Sequence, residues 1–93
     1  LLLDEPFASL DEQTRERLQE EIKRYVKQHG ITLLLVTHSI KEAVFMGERI
    51  IVMTPQGLSY ETTNPYHEYE DIRSNTDAFS LEKELRLQLG GFQ

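Results

Sequence analysis

The opening residues of the chain place the tightest constraint on its fold. Three leucines, Leu1–Leu3, are followed at once by Asp4 and Glu5 and then by Pro6. A continuous apolar run is typical of a strand that is buried on both faces, as in a parallel sheet. Pro6 disfavours helical backbone at Glu5 and lacks a backbone donor, so we expect the chain to leave the strand in a loop. The two carboxylates are then predicted to lie at the edge where open α/β sheets bind ligands.

A helix and a second strand are predicted after this loop. The segment from Glu12 to Gln28 has apolar residues at helical spacing, with Asp11 as its expected N-cap and Gly30 as the left-handed residue that ends it. Ile31–Thr37 is rich in Leu, Ile, Val and Thr and is too short for an independent helix, so it predicts a buried strand. The apolar stripe of the helix consists of Leu18, Ile22, Tyr25 and Val26.

The strand–helix–strand order predicts which polar residues come together. Strands joined by a helix pair in parallel, and parallel pairing brings the ends of both strands to one edge of the sheet. His38 directly follows the second strand and is therefore expected near Asp4 and Glu5. Successive strand side chains point to opposite faces, so the two carboxylates are expected to have different roles. A histidine at a strand end can also be purely structural, and both interpretations of His38 are open on this pattern alone.

The second half of the chain begins with a predicted helix and strand. Ser39 with Glu42 three residues later is a capping-box pattern, which predicts a helix from Ser39 to about Met46 that Gly47 ends. Arg49–Met53 is an apolar run that predicts the next strand.

A hairpin, an irregular segment and a closing helix are predicted to complete the chain. Thr54–Gly57 has proline and glycine where a type I turn requires them, so Leu58–Glu61 is expected to return as a short antiparallel edge strand. Thr62–Thr76 is polar and predicts an irregular surface segment. Asp77–Leu89 predicts a helix that Gly90 and Gly91 end. Its apolar stripe is Ala78, Leu81, Leu85 and Leu89, which Phe92 extends. For Tyr66, Tyr69 and Arg73, packing of the loop is favoured over a binding role.

Composition excludes several classes of protein. Charged residues make up 28% and hydrophobic residues 39% of the 93 residues, which is typical of a soluble globular chain. The longest apolar runs, such as Leu33–Val36, have four residues and are far too short to cross a bilayer. The absence of cysteine rules out a disulfide framework. A formal net charge of −6 argues against non-specific nucleic-acid binding.

Three stretches of the sequence resemble motifs of one known family. Leu1–Pro6 resembles the Walker B strand of an ABC-transporter ATPase, Ala8–Asp11 resembles its D-loop, and Leu33–His38 is similar to the strand and switch histidine of the same family. The resemblance implies an α/β fold, a partial P-loop NTPase (RecA-like) sheet with parallel strands, a C-terminal β-hairpin and a terminal helix. Residues 1–93 are then expected to be the C-terminal part of one ABC ATPase domain.

The resemblance also implies roles for four side chains and two cofactors. The family uses ATP and Mg²⁺. The match assigns the role of metal ligand to Asp4 and that of catalytic base to Glu5. His38 matches the histidine that contacts the γ-phosphate and helps to place the attacking water. Asp11 matches the aspartate that lies at the interface between two ATPase subunits. This role is compatible with its expected role as an N-cap.

The second half of the chain indicates a subgroup of the family. Lys41–Met46, followed by Glu48–Met53, resembles the ATPases of nitrate, sulfonate, taurine and bicarbonate importers. The resemblance implies a transport-coupled ATPase that works with a second ATPase subunit, most simply as a homodimer. It also implies transmembrane permease subunits as partners and a cytoplasmic location at the inner face of the membrane.

The sequence differs from the family pattern at two motifs and lacks three others. The D-loop usually reads Ser-Ala-Leu-Asp, whereas this chain has Ala8-Ser9, and Ser39 replaces the usual aspartate after the histidine. More important, the 93 residues hold no glycine-rich Walker A loop with its lysine, no glutamine loop and no LSGGQ-type signature. Walker A supplies most of the phosphate cradle. We therefore expect a fragment that is inactive on its own.

Two alternatives to an importer subunit are open. One is a soluble ABC-type ATPase of translation or DNA repair, against which the acidic charge and the region Glu42–Phe45 weigh. The other is a non-catalytic module that oligomerises or swaps strands through an exposed sheet edge, since unpaired edges promote association.

Overall fold

The computed structural model describes residues 1–57 and 59–89. The chain divides into two compact units, Leu1–His38 and Ser39–Gln93. Leu58, Gly90, Gly91 and Phe92, which were predicted to begin the return strand and to end or extend the closing helix, lie outside the described residues. No helix among the described residues is long and apolar enough to span a bilayer.

The first unit is a strand–helix–strand motif. It consists of β1 (Leu2–Asp4), α1 (Glu12–His29) and β2 (Leu34–Val36). The two strands are parallel, and Leu2 lies opposite Leu34 while Asp4 lies opposite Val36. The predicted parallel pair is therefore confirmed, although each strand is only three residues long.

Local chemistry at the two ends of α1 explains its bounds. The Asp11 side chain accepts a hydrogen bond from the Thr14 amide at 2.8 Å, which satisfies one of the amides that a helix start leaves unpaired. Gly30 ends the helix with φ +62°, and its amide donates to the Val26 carbonyl. Glycine adopts this left-handed conformation without a steric penalty. The predicted caps are confirmed, and the helix extends one residue beyond the predicted Gln28.

The expectations that β1 is buried on both faces and that the second strand is buried are wrong for the described chain. Leu2 and Leu34 are 65% and 60% exposed, and because they are partners in register they share one face of the pair. Leu3 and Leu35, on the other face, are half-buried. A run of leucines predicts a buried strand only where other elements cover both faces, and the described residues do not cover the face of Leu2 and Leu34.

The second unit contains a helix, a hairpin and a closing helix. Its elements are α2 (Ile40–Met46), β3 (Arg49–Met53), β4 (Ser59–Thr63) and α3 (Thr76–Gln88). The strands β3 and β4 are antiparallel and form a two-stranded sheet separate from β1–β2. The turn closes with a 2.9 Å hydrogen bond from the Gly57 amide to the Thr54 carbonyl, as the predicted turn requires. The helices α2 and α3 pack against each other.

The apolar core of the second unit includes three of the four residues of the predicted α3 stripe. Ala78, Leu81 and Leu85 of α3 are buried, as are alternate residues Ile50 and Val52 of β3. From α2 the buried apolar residues are Ile40, Val44, Phe45 and Met46. The helix α2 begins at the predicted cap, where the Ser39 hydroxyl accepts a hydrogen bond from the Glu42 amide at 3.2 Å. The helix ends at Gly47, where any other residue would clash, because a Cβ there would lie 2.8 Å from the Ala43 carbonyl oxygen.

The segment between β4 and α3 is irregular, as predicted, but it is firmly anchored. Asn64 is 2% exposed, and its side-chain amide donates to the carbonyls of Val44 at 2.6 Å and Gly47 at 2.8 Å. The Arg73 guanidinium lies 3.6 Å from the centroid of the Phe45 ring, a cation–π contact. These contacts support packing as the role of Arg73.

Candidate functional site

The candidate site lies at the carboxyl ends of β1 and β2. Asp4 is the last residue of β1 and pairs in register with Val36, the last residue of β2. Its side chain is exposed. Asp4 therefore lies at the sheet edge that the sequence predicted for it, and open α/β sheets bind ligands at such edges.

Glu5 leaves the strand through an unusual backbone conformation. Its φ is +48°, and it is the only residue other than glycine with a positive φ in the described part of the chain. Its amide donates to the Val36 carbonyl at 2.8 Å, so the ladder between the strands continues through this residue. Left-handed backbone is uncommon outside glycine and costs about 1 kcal/mol or more, and it clusters at functional sites. The sequence predicted a loop after the strand but not this conformation.

His38 contacts Glu5 across the edge. The imidazole Nδ1 of His38 is in hydrogen-bond contact with the Glu5 carboxylate oxygen Oε1. The His38 side chain is 95% exposed and that of Glu5 is 32% exposed. The prediction that parallel pairing brings His38 to the carboxylates is confirmed for Glu5. If Nδ1 carries the proton, Nε2 of the neutral ring is a hydrogen-bond acceptor, and the charged ring donates from both nitrogens.

Asp11 occupies a local structural role. Hydrogen bonds from the Thr14 side chain and backbone amide hold the pKa of the Asp11 carboxyl below its usual range, and the nearby guanidinium groups of Arg17 and Arg15 act in the same direction. Both effects favour the charged form, which also suits the positive end of the helix macrodipole. The structure thus shows Asp11 as the cap of α1, and its part in an interface between subunits stays a prediction.

The carboxylates fit one kind of magnesium site and exclude another. Within the described residues no cluster of three or more His, Asp or Glu side chains could enclose a metal ion. Mg²⁺ does not require such a cage, because it retains several waters and takes one or two carboxylates together with phosphate oxygens. The exposed Asp4 carboxylate is a ligand of the kind that such a hydrated ion takes.

The residue that sequence reasoning passed over is Asn64. Its side-chain amide donates hydrogen bonds to carbonyls at the end of α2, and its Oδ1 accepts one from the Tyr66 amide at 3.0 Å. The signal in the sequence was Asn64-Pro65 directly after an alternating strand, a turn-initiating pair. That signal predicts a turn, but it does not reveal the partners of the side chain.

Comparison with known proteins adds a consistent set of relatives. No protein-family model matches the chain. The chain is 45% identical over 85 residues to a taurine import ATP-binding protein of Ruegeria pomeroyi, covering 89% of this chain and 31% of that protein. It is 62% identical over 53 residues to a molybdate/tungstate import ATP-binding protein of Thermococcus kodakarensis, covering 57% of this chain and 16% of that protein.

A third relative is a bicarbonate transport ATP-binding protein of Synechococcus elongatus. It is 48% identical over 54 residues, which cover 58% of this chain and 19% of that protein. The chain therefore spans less than a third of the length of the curated relatives it matches.

Proposed function

We propose that this chain, which is homologous to the ATP-binding subunits of ABC importers, contributes the water-activating side of an ATP-hydrolysis site. The observation that carries the proposal is the contact between Glu5 and His38 at the carboxyl ends of two parallel strands. Homology of this kind favours a P-loop NTPase-like sheet as the wider setting of the parallel pair.

Glu5 is proposed as the catalytic base. Its carboxylate is positioned by a strained backbone and by contact with His38, so one oxygen is oriented while the group as a whole is reachable by water. In hydrolysis the water oxygen bonds to the γ-phosphorus and the bond to the bridging oxygen of ADP breaks. A carboxylate that accepts the water proton contributes to such a step.

His38 is proposed to act on the γ-phosphate and Asp4 to hold the metal. The charged imidazole, with Nδ1 on Glu5, can donate from Nε2 to a phosphate oxygen and fix the distance between that phosphate and the water. When bound, Mg²⁺ would neutralise charge on the β- and γ-phosphates. Asp4 would reach it directly or through a water of its shell.

The partners follow from the same homology. The relatives are import and transport ATP-binding proteins, so we propose transmembrane permease subunits as partners and a cytoplasmic position at the membrane. We also propose a second ATPase subunit, with Asp11 near its interface. The alignment over most of this chain with a taurine import protein favours the taurine and bicarbonate group of importers over a soluble ATPase.

The decisive experiment replaces Glu5 by Gln in the complete protein. The amide preserves the shape of the side chain and removes its negative charge, so we expect turnover to fall by about 10²–10⁴-fold while ATP binding is retained. Steady-state hydrolysis and equilibrium nucleotide binding measure the two effects. Glu21→Gln, an exposed position on α1, is the matched control and should leave both unchanged. Undiminished hydrolysis by Glu5→Gln would refute the assignment.

The isolated chain of 93 residues provides a second test. Its sequence contains no glycine-rich loop with a lysine to cradle the phosphates. We therefore expect no ATP hydrolysis by the purified chain, and we expect no magnesium-dependent binding of ATP in calorimetry. Measurable turnover would contradict this part of the proposal.

A further inference from the structure

The closing helix α3 presents two apolar surfaces. Ala78, Leu81 and Leu85 are buried in the second unit, whereas Phe79 and Leu87 are 50% and 79% exposed. Because an α-helix repeats about every 3.6 residues, residues 79, 83 and 87 lie one above another on a single face. That face is opposite the buried one. A helix in a small unit needs only one apolar face for its own packing.

The outer face of α3, defined here as Phe79, Lys83, Arg86 and Leu87, is cationic as well as apolar. Lys83 and Arg86 are exposed, and the Lys83 ammonium lies 5.2 Å from the centroid of the Phe79 ring. One carboxylate flanks this face, because Glu82 lies one turn before Arg86 and beside Phe79 on the helix surface, so two cations are set against one acid. The face is therefore a locally positive surface in a chain whose formal net charge is −6.

The segment before α3 has the complementary chemistry. The acidic segment, defined here as Glu68–Asp71, carries three carboxylates and no cation among its own four residues, although the neighbouring His67 lies 4.0 Å from the Glu68 carboxylate. All four residues are exposed, and Tyr69, which lies among the acids, is 49% exposed. The Tyr69 ring packs edge-on against Tyr66, with 5.7 Å between the ring centroids, so its position is supported from within the segment.

We propose that the outer face of α3 binds the acidic segment of a second copy of this chain. Charge complementarity selects this partner: Lys83 and Arg86 meet the carboxylates, and Phe79 and Leu87 meet Tyr69. A twofold arrangement forms the contact twice, because the helix of each copy binds the segment of the other. Opposite charges steer such an encounter and set its register, and burial of the three large side chains stabilises it.

The proposal is independent of the ATP site. Every residue in it belongs to the second unit, Ser39–Gln93, and none has a role in the proposed hydrolysis. An anionic membrane is the other surface that a cationic, apolar helix face can bind. Two cations contribute only about 1 kcal/mol each to such binding, and the net charge of −6 opposes it, so a second copy of the chain is favoured.

The test is the self-association of the purified chain, measured by analytical ultracentrifugation over a concentration series that reaches the millimolar range. We expect a reversible monomer–dimer equilibrium. Lys83→Glu combined with Arg86→Glu should weaken dimerisation by about tenfold or more, because like charges then face each other at both contacts. Arg24→Glu with Lys27→Glu on α1 changes the net charge equally and should leave the equilibrium in place.

A charge swap makes the test specific. Adding Glu68→Lys and Glu70→Lys to the α3 pair returns the formal net charge to −6 and should restore the dimer. Far-UV circular dichroism of each variant checks that the helices persist. A monomeric wild-type chain, a dimer indifferent to the α3 reversal, or a swap that fails to restore association would each overturn the proposal. So would binding of monomer to phosphatidylserine vesicles that the α3 reversal abolishes, which would assign the face to a membrane.

Discussion

The β1–β2 pair and the core of the second unit place the same type of residue in opposite environments. Leu2 and Leu34 are 65% and 60% exposed, whereas Leu81 and Leu85 are 7% and 1% exposed. Burial of a leucine side chain contributes about 1.5–3 kcal/mol, so Leu81 and Leu85 help to stabilise the second unit, whereas Leu2 and Leu34 add little to the first. The strand pair instead positions a set of polar groups at its carboxyl end.

The polar contacts of the two units also differ in their exposure to water. The Glu5–His38 contact is reachable by water, and the His38 side chain is almost fully exposed. Asn64, in contrast, is 2% exposed and has all of its side-chain hydrogen-bonding groups occupied by protein. Exposed ion pairs contribute about 0–1 kcal/mol to stability, whereas a buried amide without its partners is costly. Exposure of the first contact is expected of a site that meets a substrate.

The largest effect that follows from this comparison concerns His38. In the complete protein, His38→Ala should lower ATP turnover by about 10²–10⁴-fold. It should leave the thermal midpoint nearly unchanged, because the side chain buries almost no surface. Steady-state hydrolysis and calorimetry measure the two quantities. His29→Ala, at the exposed end of α1, is the control. A variant that lost stability and activity together would place His38 among the structural residues.

Truncation of leucines tests the difference between the units directly. Leu85→Ala should destabilise the purified chain by about 2–5 kcal/mol, because it empties a fully buried site. Leu2→Ala removes a mostly exposed side chain and should cost no more than about 0.5 kcal/mol. Urea-induced unfolding at low chain concentration gives both values. Equal costs would show that the exposed leucine face is covered in solution.

Removal of the Asn64 side chain should have an intermediate effect. Asn64→Ala leaves the Val44 and Gly47 carbonyls and the Tyr66 amide without their partner, so we expect a loss of about 1–3 kcal/mol. Asn64→Asp keeps the acceptor for Tyr66 but places a charge against two carbonyl oxygens, and it should be at least as costly. Urea unfolding measures the losses, and amide hydrogen exchange should show faster exchange at the end of α2. Unchanged exchange there would contradict the anchoring role.

The features that were predictable from the sequence are those that depend on neighbouring residues in the chain, such as helix ends. Asp11, Ser39 and Gly30 are residue types whose side chain, or lack of one, fits a helix end regardless of the surroundings. The helix bounds therefore followed from the sequence to within about a residue. The meeting of Glu5 and His38 also followed, because parallel pairing needs only the order of the elements.

The features that were not predictable depend on distant parts of the chain. Whether Leu2 is buried depends on what covers its face, which a run of leucines does not encode. Asn64 bonds to residues 17 and 20 positions away, so its partners could not be inferred from the turn signal. The left-handed backbone of Glu5 was hidden because the following proline favours extended conformations at that position.

The smallest expected effect is a pH dependence at Asp11, and it separates the structural role of this residue from a role at a subunit interface. Hydrogen bonds from Thr14 lower the pKa of the Asp11 carboxyl in the folded chain. A group with a lowered pKa contributes stability above its unfolded pKa, and that contribution is lost as the pH falls through the folded value. Asp11→Asn retains an N-cap acceptor but cannot titrate, so the two chains should lose stability to different degrees in acid. Urea unfolding across the acidic range measures the difference, which should be small because the carboxyl is exposed. If Asp11→Asn also preserves this cap yet impairs ATP turnover in the complete protein, the charge acts beyond α1; if turnover is unchanged, capping is its whole function.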